Sequence, residues 1–121
     1  MSLRALRGAI TVDANERDAI LEGTGELVRT LMERNGLEPT DVVSCIFTCT
    51  DDLDAAFPAE AARGLGLSAV PLLCAREIDV PGALPRVIRL MVHCYADEGS
   101  PPQHVYLRDA KSLRRDLEAA Q

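Results

Sequence analysis

C-A-R-E-I-D-V-P-G-A-L-P-R-V-I-R-L, residues 74–90, reads as the end of one strand, a turn broken by Pro81, Gly82 and Pro85, and the start of another strand. Glu77 and Arg89 lie in its two flanking apolar runs, where an unpaired charge is costly to bury. A carboxylate and a guanidinium held close together in apolar surroundings make either a structural ion pair or a polar site, and the rest of the chain has to decide between them.

Outward from this turn, residues 69–78 (A-V-P-L-L-C-A-R-E-I) form the strand before it and residues 86–95 (R-V-I-R-L-M-V-H-C-Y) the strand after it. Side chains alternate along a strand, so Val87, Arg89, Met91, His93 and Tyr95 share one face, with Ile88, Leu90, Val92 and Cys94 on the other. Residues 3–12 make a further strand in which Leu3, Ala5, Arg7 and Ala9 share a face, leaving Arg7 among small apolar side chains. Taken singly, such an arginine snorkels to the strand end. Residues 42–49 and the short run 104–107 complete five strands.

One long helix accompanies them, over residues 13–36. Asp13 and Glu16 have capping-box spacing, Gly36 is a natural stop, and Ile20, Leu21, Leu27, Val28, Leu31 and Met32 form its apolar stripe. Gly23 and Gly25 interrupt it at a cost of about 1 kcal/mol each relative to Ala. A short helix opens at Phe57-Pro58 and ends at Gly64 and Gly66, and residues 111–119 form a charged helical tail. Asp51, Asp52 and Asp54 crowd one loop without the regular ligand spacing of a calcium loop, so a solvated capping role is the better reading. The fold class is α+β: a five-stranded mixed sheet packed on one long helix plus short helices. One sheet face or edge stays open, which favours self-association.

Composition narrows what such a domain does. The 121 residues suffice for a single core, and residues 1–121 read as one domain whose end, 111–121, is a mobile tail. Aromatics at 3% and a net charge of −6 argue against a nucleic-acid surface. No apolar run reaches membrane-spanning length, and the N-terminus M-S-L-R-A-L-R-G-A lacks the apolar core of a signal peptide. Cys45, Cys49, Cys74 and Cys94 form no C-x-x-C and, with His93 and His104, no zinc spacing; they read as buried free thiols of a cytoplasmic chain. Sequence motifs for a nucleophile elbow, a zinc protease helix, a P-loop or a dinucleotide site are absent. What recurs is arginine on otherwise apolar elements: Arg7, Arg63, Arg89 and Arg114, joined by Glu77 and Tyr106. Together they suit a small ligand with more than one carboxylate, which guanidinium binds bidentately.

Several motifs occur in order: R-x-x-R-G-A-x-T-V at 4–12, F-P-A-x-A-x-R at 57–63, V-P-x-x-C-x-x-E-I-D-V-x-G at 70–82, I-R at 88–89 and H-V-Y-L at 104–107. Over nearly the whole chain this resembles the monofunctional chorismate mutases of the AroH class. The resemblance implies a pseudo-α/β-barrel homotrimer with active sites at subunit interfaces, converting chorismate to prephenate by a [3,3] rearrangement on the shikimate route to Phe and Tyr. No cofactor and no metal are implied, because a pericyclic step needs neither.

By the same resemblance Arg89 donates to the ether oxygen, and Arg7 and Tyr106 hold the side-chain carboxylate. Glu77 faces the ring hydroxyl and the part of the ring that turns cationic, with Cys74 supporting it. Phe57 packs on the substrate, while Arg63, Leu113 and Arg114 close the site from a neighbouring subunit or the tail. Leu73 belongs to the pocket but stands where some members carry a hydroxyl, and Arg115 replaces a proline common in the tail. Glu77 and Arg89 then become opposite walls of one pocket. A second reading, from another class, is a non-catalytic trimer of YjgF-like architecture that binds a small carboxylate; keeping both Glu77 and Arg89 favours the mutase.

Overall fold

The structure, a computed structural model, describes residues 1–113. Its strands are β1 (Ser2–Thr11), β2 (Val42–Cys49), β3 (Leu72–Arg76), β4 (Val87–Ala96) and β5 (Val105–Leu107), and its long helix is α1 (Arg17–Arg34). A short helix, α2 (Ala59–Ala62), runs on into a wider turn over Arg63–Leu67. The strands form one sheet in the order β3-β2-β4-β1-β5. The β1–β4 and β2–β4 pairs are antiparallel, whereas β2–β3 and β1–β5 are parallel, so the sheet is mixed, as expected.

Alternation decides the two faces. Leu6, Ile10, Cys45, Phe47, Ile88, Leu90, Val92, Cys94 and Val105 are buried together with Ile20, Leu27, Val28 and Leu31 of α1. The opposite face carries Leu3, Arg7, Ile46, Arg89, Met91, His93 and Tyr95, which are half-buried or exposed. The helix thus covers one face and leaves the other open.

The helix begins four residues later than its sequence pattern suggests. Glu16 stands at its N-terminus in an extended conformation and makes no side-chain cap, so the Asp13–Glu16 capping box does not form. The preceding residues are committed to the loop after β2. There Asn15 Oδ1 accepts the main-chain N–H groups of Asp54 and Ala55, each at 3.0 Å, and its Nδ2 donates to Asp54 at 2.7 Å. A reciprocal capping contact appears instead ahead of β2, where the Glu38 N–H donates to the Asp41 carboxylate at 2.8 Å. The acidic loop acts as a cap, as expected. Asp52 accepts the N–H of Arg86 at 3.0 and 3.2 Å, and the Arg86 Nε donates to the Val12 carbonyl at 3.1 Å. These bonds hold Arg86 in the left-handed region, at φ 51°, at the entry to β4. Of the two glycines expected to stop α2, only Gly66 does so, at φ 96°.

Gly23 is where α1 meets the end of β1. A Cβ built there lies 2.5 Å from Val12 Cγ1, whereas one on Gly25 meets only the mobile Arg29 guanidinium, at 3.2 Å. The β1–β5 junction is closed by a side chain standing in for backbone, as His104 Nδ1 accepts the Arg7 N–H at 3.0 Å. Burial first, and then the Arg7 charge, hold the His104 imidazole below its ordinary pKa.

Two outcomes follow from these contacts. Gly23→Ala lowers stability by about 1–3 kcal/mol through overpacking against Val12, while Gly25→Ala raises it by up to about 1 kcal/mol through helix propensity; urea denaturation distinguishes the two signs. His104 is neutral in the fold, so on acidification the unfolded chain takes up the proton first, near pH 6.5. Stability is therefore full above that value and falls as pH drops through it. Denaturation at pH 7.5 and 5.5 should show a drop that His104→Asn reduces.

Candidate active site

The open sheet face holds a cleft of about 650 Å³. Ala9 of β1 lies directly across from Arg89 of β4, and Arg7 from Met91, so the two guanidiniums stand on neighbouring strands over a small-residue floor. Ile46 and Thr48 of β2, His93 of β4, Tyr106 of β5 and Leu113 complete the lining. Tyr106 reaches this face because β5 runs parallel to β1 with Ala9 as its register partner.

Glu77 enters just past β3. Its N–H donates to the Cys49 carbonyl at 2.9 Å, extending the β2–β3 pairing by one bond. This sets its side chain beside Thr48, the register partner of Arg89. Glu77 Oε2 accepts the Thr48 hydroxyl at 2.7 Å, and Oε1 accepts Arg89 Nη1. The Glu77 side chain is only 12% exposed, whereas that of Arg89 remains 43% exposed. Glu77 and Arg89 therefore sit in contact on one wall instead of on opposite walls, because the ladder carries Glu77 to Thr48. The carboxylate is shielded, and the guanidinium still faces the cleft.

Other groups are chemically quiet. Burial pushes the Cys49 thiol up to about 12, with Cys74, Glu77 and Asp52 adding to the effect, and burial pushes Cys45 up to about 11. Such thiols are not nucleophiles at neutral pH. All four cysteines are free: Cys45 and Cys94 are buried, as expected, but Cys49 and Cys74 are only half-buried. His93 lines the cleft, and its Nδ1 lies 3.1 Å from Ser44 Oγ, which does not. The cleft presents fixed donors, with the Glu77 carboxylate held behind Arg89 and Thr48, which suits binding and charge stabilisation.

Of the residues singled out from sequence, Arg7, Arg89, Tyr106 and Leu113 line this cleft, while Glu77 lines a neighbouring hollow with Asp52 and Ile78 and meets the cleft through its contact with Arg89. Phe57 and Cys74 do neither. They line a separate hollow of about 480 Å³ with Cys49, Arg17 and Glu60, whose own side chains pair at 2.8 Å. Cys74 is there because it is opposite Phe47 on the helix-covered face. Arg63 is exposed on the turn after α2, and Leu73 is 61% exposed on edge strand β3, opposite Ile46. Arg114, Arg115 and most of the tail expected to be helical lie outside the described residues; Lys111 to Leu113 are helical. Thr48 was missed. Its phase with Ile46 along β2 placed it on this face, but nothing local linked it to Glu77.

Residues 3–117 match the family described as chorismate mutase type I. The chain is 50% identical to the chorismate mutase AroH of Thermus thermophilus, over 98% of this chain and 99% of that protein. It is 40% identical to the chorismate mutase AroH of Bacillus subtilis, over 97% and 94% respectively. A solved chorismate mutase from Clostridium thermocellum superposes with a TM-score of 0.87 at 48% identity, covering 90% of this chain and 98% of that one. The ordered motifs, the mixed sheet and these near full-length matches agree, and the chain belongs to the type I chorismate mutases.

Proposed function

We propose that chorismate rearranges to prephenate in the cleft that Arg7, Arg89 and Tyr106 line on the open sheet face. Chorismate mutase activity follows from the family, and with it a place in aromatic biosynthesis; the assignment of residues to steps is the inference. The observation that carries it is Arg89, a half-exposed guanidinium beside a shielded carboxylate and one strand away from a second guanidinium.

The reaction breaks the ether C–O bond and forms a C–C bond within one molecule, so no atom leaves and no proton needs to move. A catalyst must hold the dianionic substrate in its compact chair-like conformer and stabilise the charge that develops as the C–O bond opens. Arg7 and Tyr106 hold the side-chain carboxylate, and Arg89 donates to the ether oxygen. Glu77, held by Thr48 and Arg89, faces the ring as it becomes cationic. Leu113 covers the mouth from the start of the tail; Arg114, assigned beside it by resemblance, lies outside the described residues.

Phe57, Cys74, Arg63 and Leu73 fit this picture if the site is composite. They lie outside the cleft of their own chain, and the open face exposes Leu3, Ile46, Leu73 and Tyr95, a surface suited to another subunit. We infer a homotrimer, closed into a pseudo-barrel, in which residues of the Phe57 hollow complete the neighbour's cleft. Residues 1–121 form its single domain. Four free thiols fit the reducing cytoplasm, and among the described residues no helix is long and apolar enough to cross a membrane. No relative above favours the non-catalytic, YjgF-like alternative.

Purified protein should consume chorismate and form prephenate without added cofactor, and EDTA should leave the rate unchanged; a rate no higher than the uncatalysed one defeats this reading. Arg89→Ala should lower kcat by at least about 10²-fold, the scale of one preorganised donor, and Arg89→Lys at near-full rate would refute the proposed geometry. Mixing inactive Arg89→Ala chains with inactive Arg63→Ala chains should restore about a quarter of the activity if each site draws on two subunits. Failure of the mixture to recover, with subunit exchange verified, places the whole site in one chain.

A further inference from the structure

The two oxygens of Glu77 are held by groups of different kinds. Oε1 takes a single N–H, from Arg89 Nη1, while Oε2 takes the Thr48 hydroxyl at 2.7 Å. A carboxylate beside an arginine otherwise tends to close a two-pronged pair with parallel N–H···O bonds. In that arrangement two faces of the guanidinium fork are spent on the protein's own anion. Thr48 stands against this outcome. It is β-branched, so its χ1 is restricted, and it lies on β2 between β3 and β4, in register with Arg89. Its half-buried hydroxyl points at the one carboxylate oxygen that a second prong would need.

We propose that Thr48 is a positioning residue for the rearrangement: by occupying Glu77 Oε2 it limits Glu77 to one contact with Arg89 and leaves the remaining guanidinium N–H groups for the opening ether bond. The proposal rests on the reading of Arg89 as the donor to that bond. Thr48 lines the cleft, but its hydroxyl is directed to Glu77. Its hydroxyl acts through the orientation of one carboxylate, so its removal weakens transition-state stabilisation more than substrate capture.

The test is steady-state kinetics on Thr48→Val, which keeps the shape and removes the hydroxyl. We expect kcat to fall about tenfold, the scale of one hydrogen bond to a charged group, with KM changed by less than about twofold. Thr48→Ser, which keeps the hydroxyl, should return kcat to within about threefold of the parent. Because Thr48 acts through Glu77, Thr48→Val combined with Glu77→Gln should be no slower than Glu77→Gln alone. Thermal denaturation checks folding, and Thr48→Ala replaces the valine variant if that chain does not fold. A hydroxyl-free variant with full kcat, a loss confined to KM, or additive effects with Glu77→Gln each overturn the proposal. If Arg89→Ala retains full activity, the site reading falls and this proposal with it; if only the Thr48 variants are silent, the site reading stands.

Discussion

β1 and β4 are paired along their whole length, from Ser2 opposite Ala96 to Thr11 opposite Val87. The proposed active site depends on this register. Arg7 and Arg89 reach the same open face only because their strands are in phase, and a slip of one residue would turn either guanidinium into the helix-covered core. That core makes the slip costly, since Leu6, Ile10, Ile88, Leu90 and Val92 would be exposed in exchange. The hydrophobic packing under α1 thus aims charged groups on the far side of the sheet.

On that far side the proposed chemistry is electrostatic. Glu77 is nearly enclosed and satisfied on both oxygens, while Arg89 is held on one side and open on the other. An ion pair of this kind contributes little as a surface contact. As a preorganised dipole facing a cleft it is suited to a transition state in which an oxygen gains negative charge and a ring gains positive charge. Burial keeps the Cys49 thiol protonated and the neighbouring Glu77 carboxylate reinforces this, which agrees with a reaction that has no covalent intermediate.

The second hollow is separate from the cleft within one chain. Phe57 and Cys74 belong to the helix-facing side of the β2–β3 edge, and Arg63 projects from the turn beyond α2. In the proposed oligomer the open apolar face beside the cleft would serve both assembly and substrate enclosure. The network of Asn15, Asp52 and Arg86 shapes the loops at this end. It commits Asn15, just ahead of α1, to anchoring the segment that leads to Phe57.

Sequence alone determined the elements and their faces, because those follow from local periodicity: the alternation in residues 86–95, the apolar stripe of α1, and the shared phase of Leu3, Ala5, Arg7 and Ala9. The ordered motifs also carried the family. Tertiary structure decided whatever depends on partners distant along the chain. The bond from Thr48 to Glu77 spans 29 positions, and the placing of Cys74 away from Arg89 comes from its register with Phe47. The capping box at Asp13 and Glu16 failed for the same reason, since Asn15 is used by Asp54 and Ala55 across the fold. A one-dimensional pattern states which face a side chain occupies. Which atom it meets there is settled by strand order and register, where long-range hydrogen bonds compete with local ones.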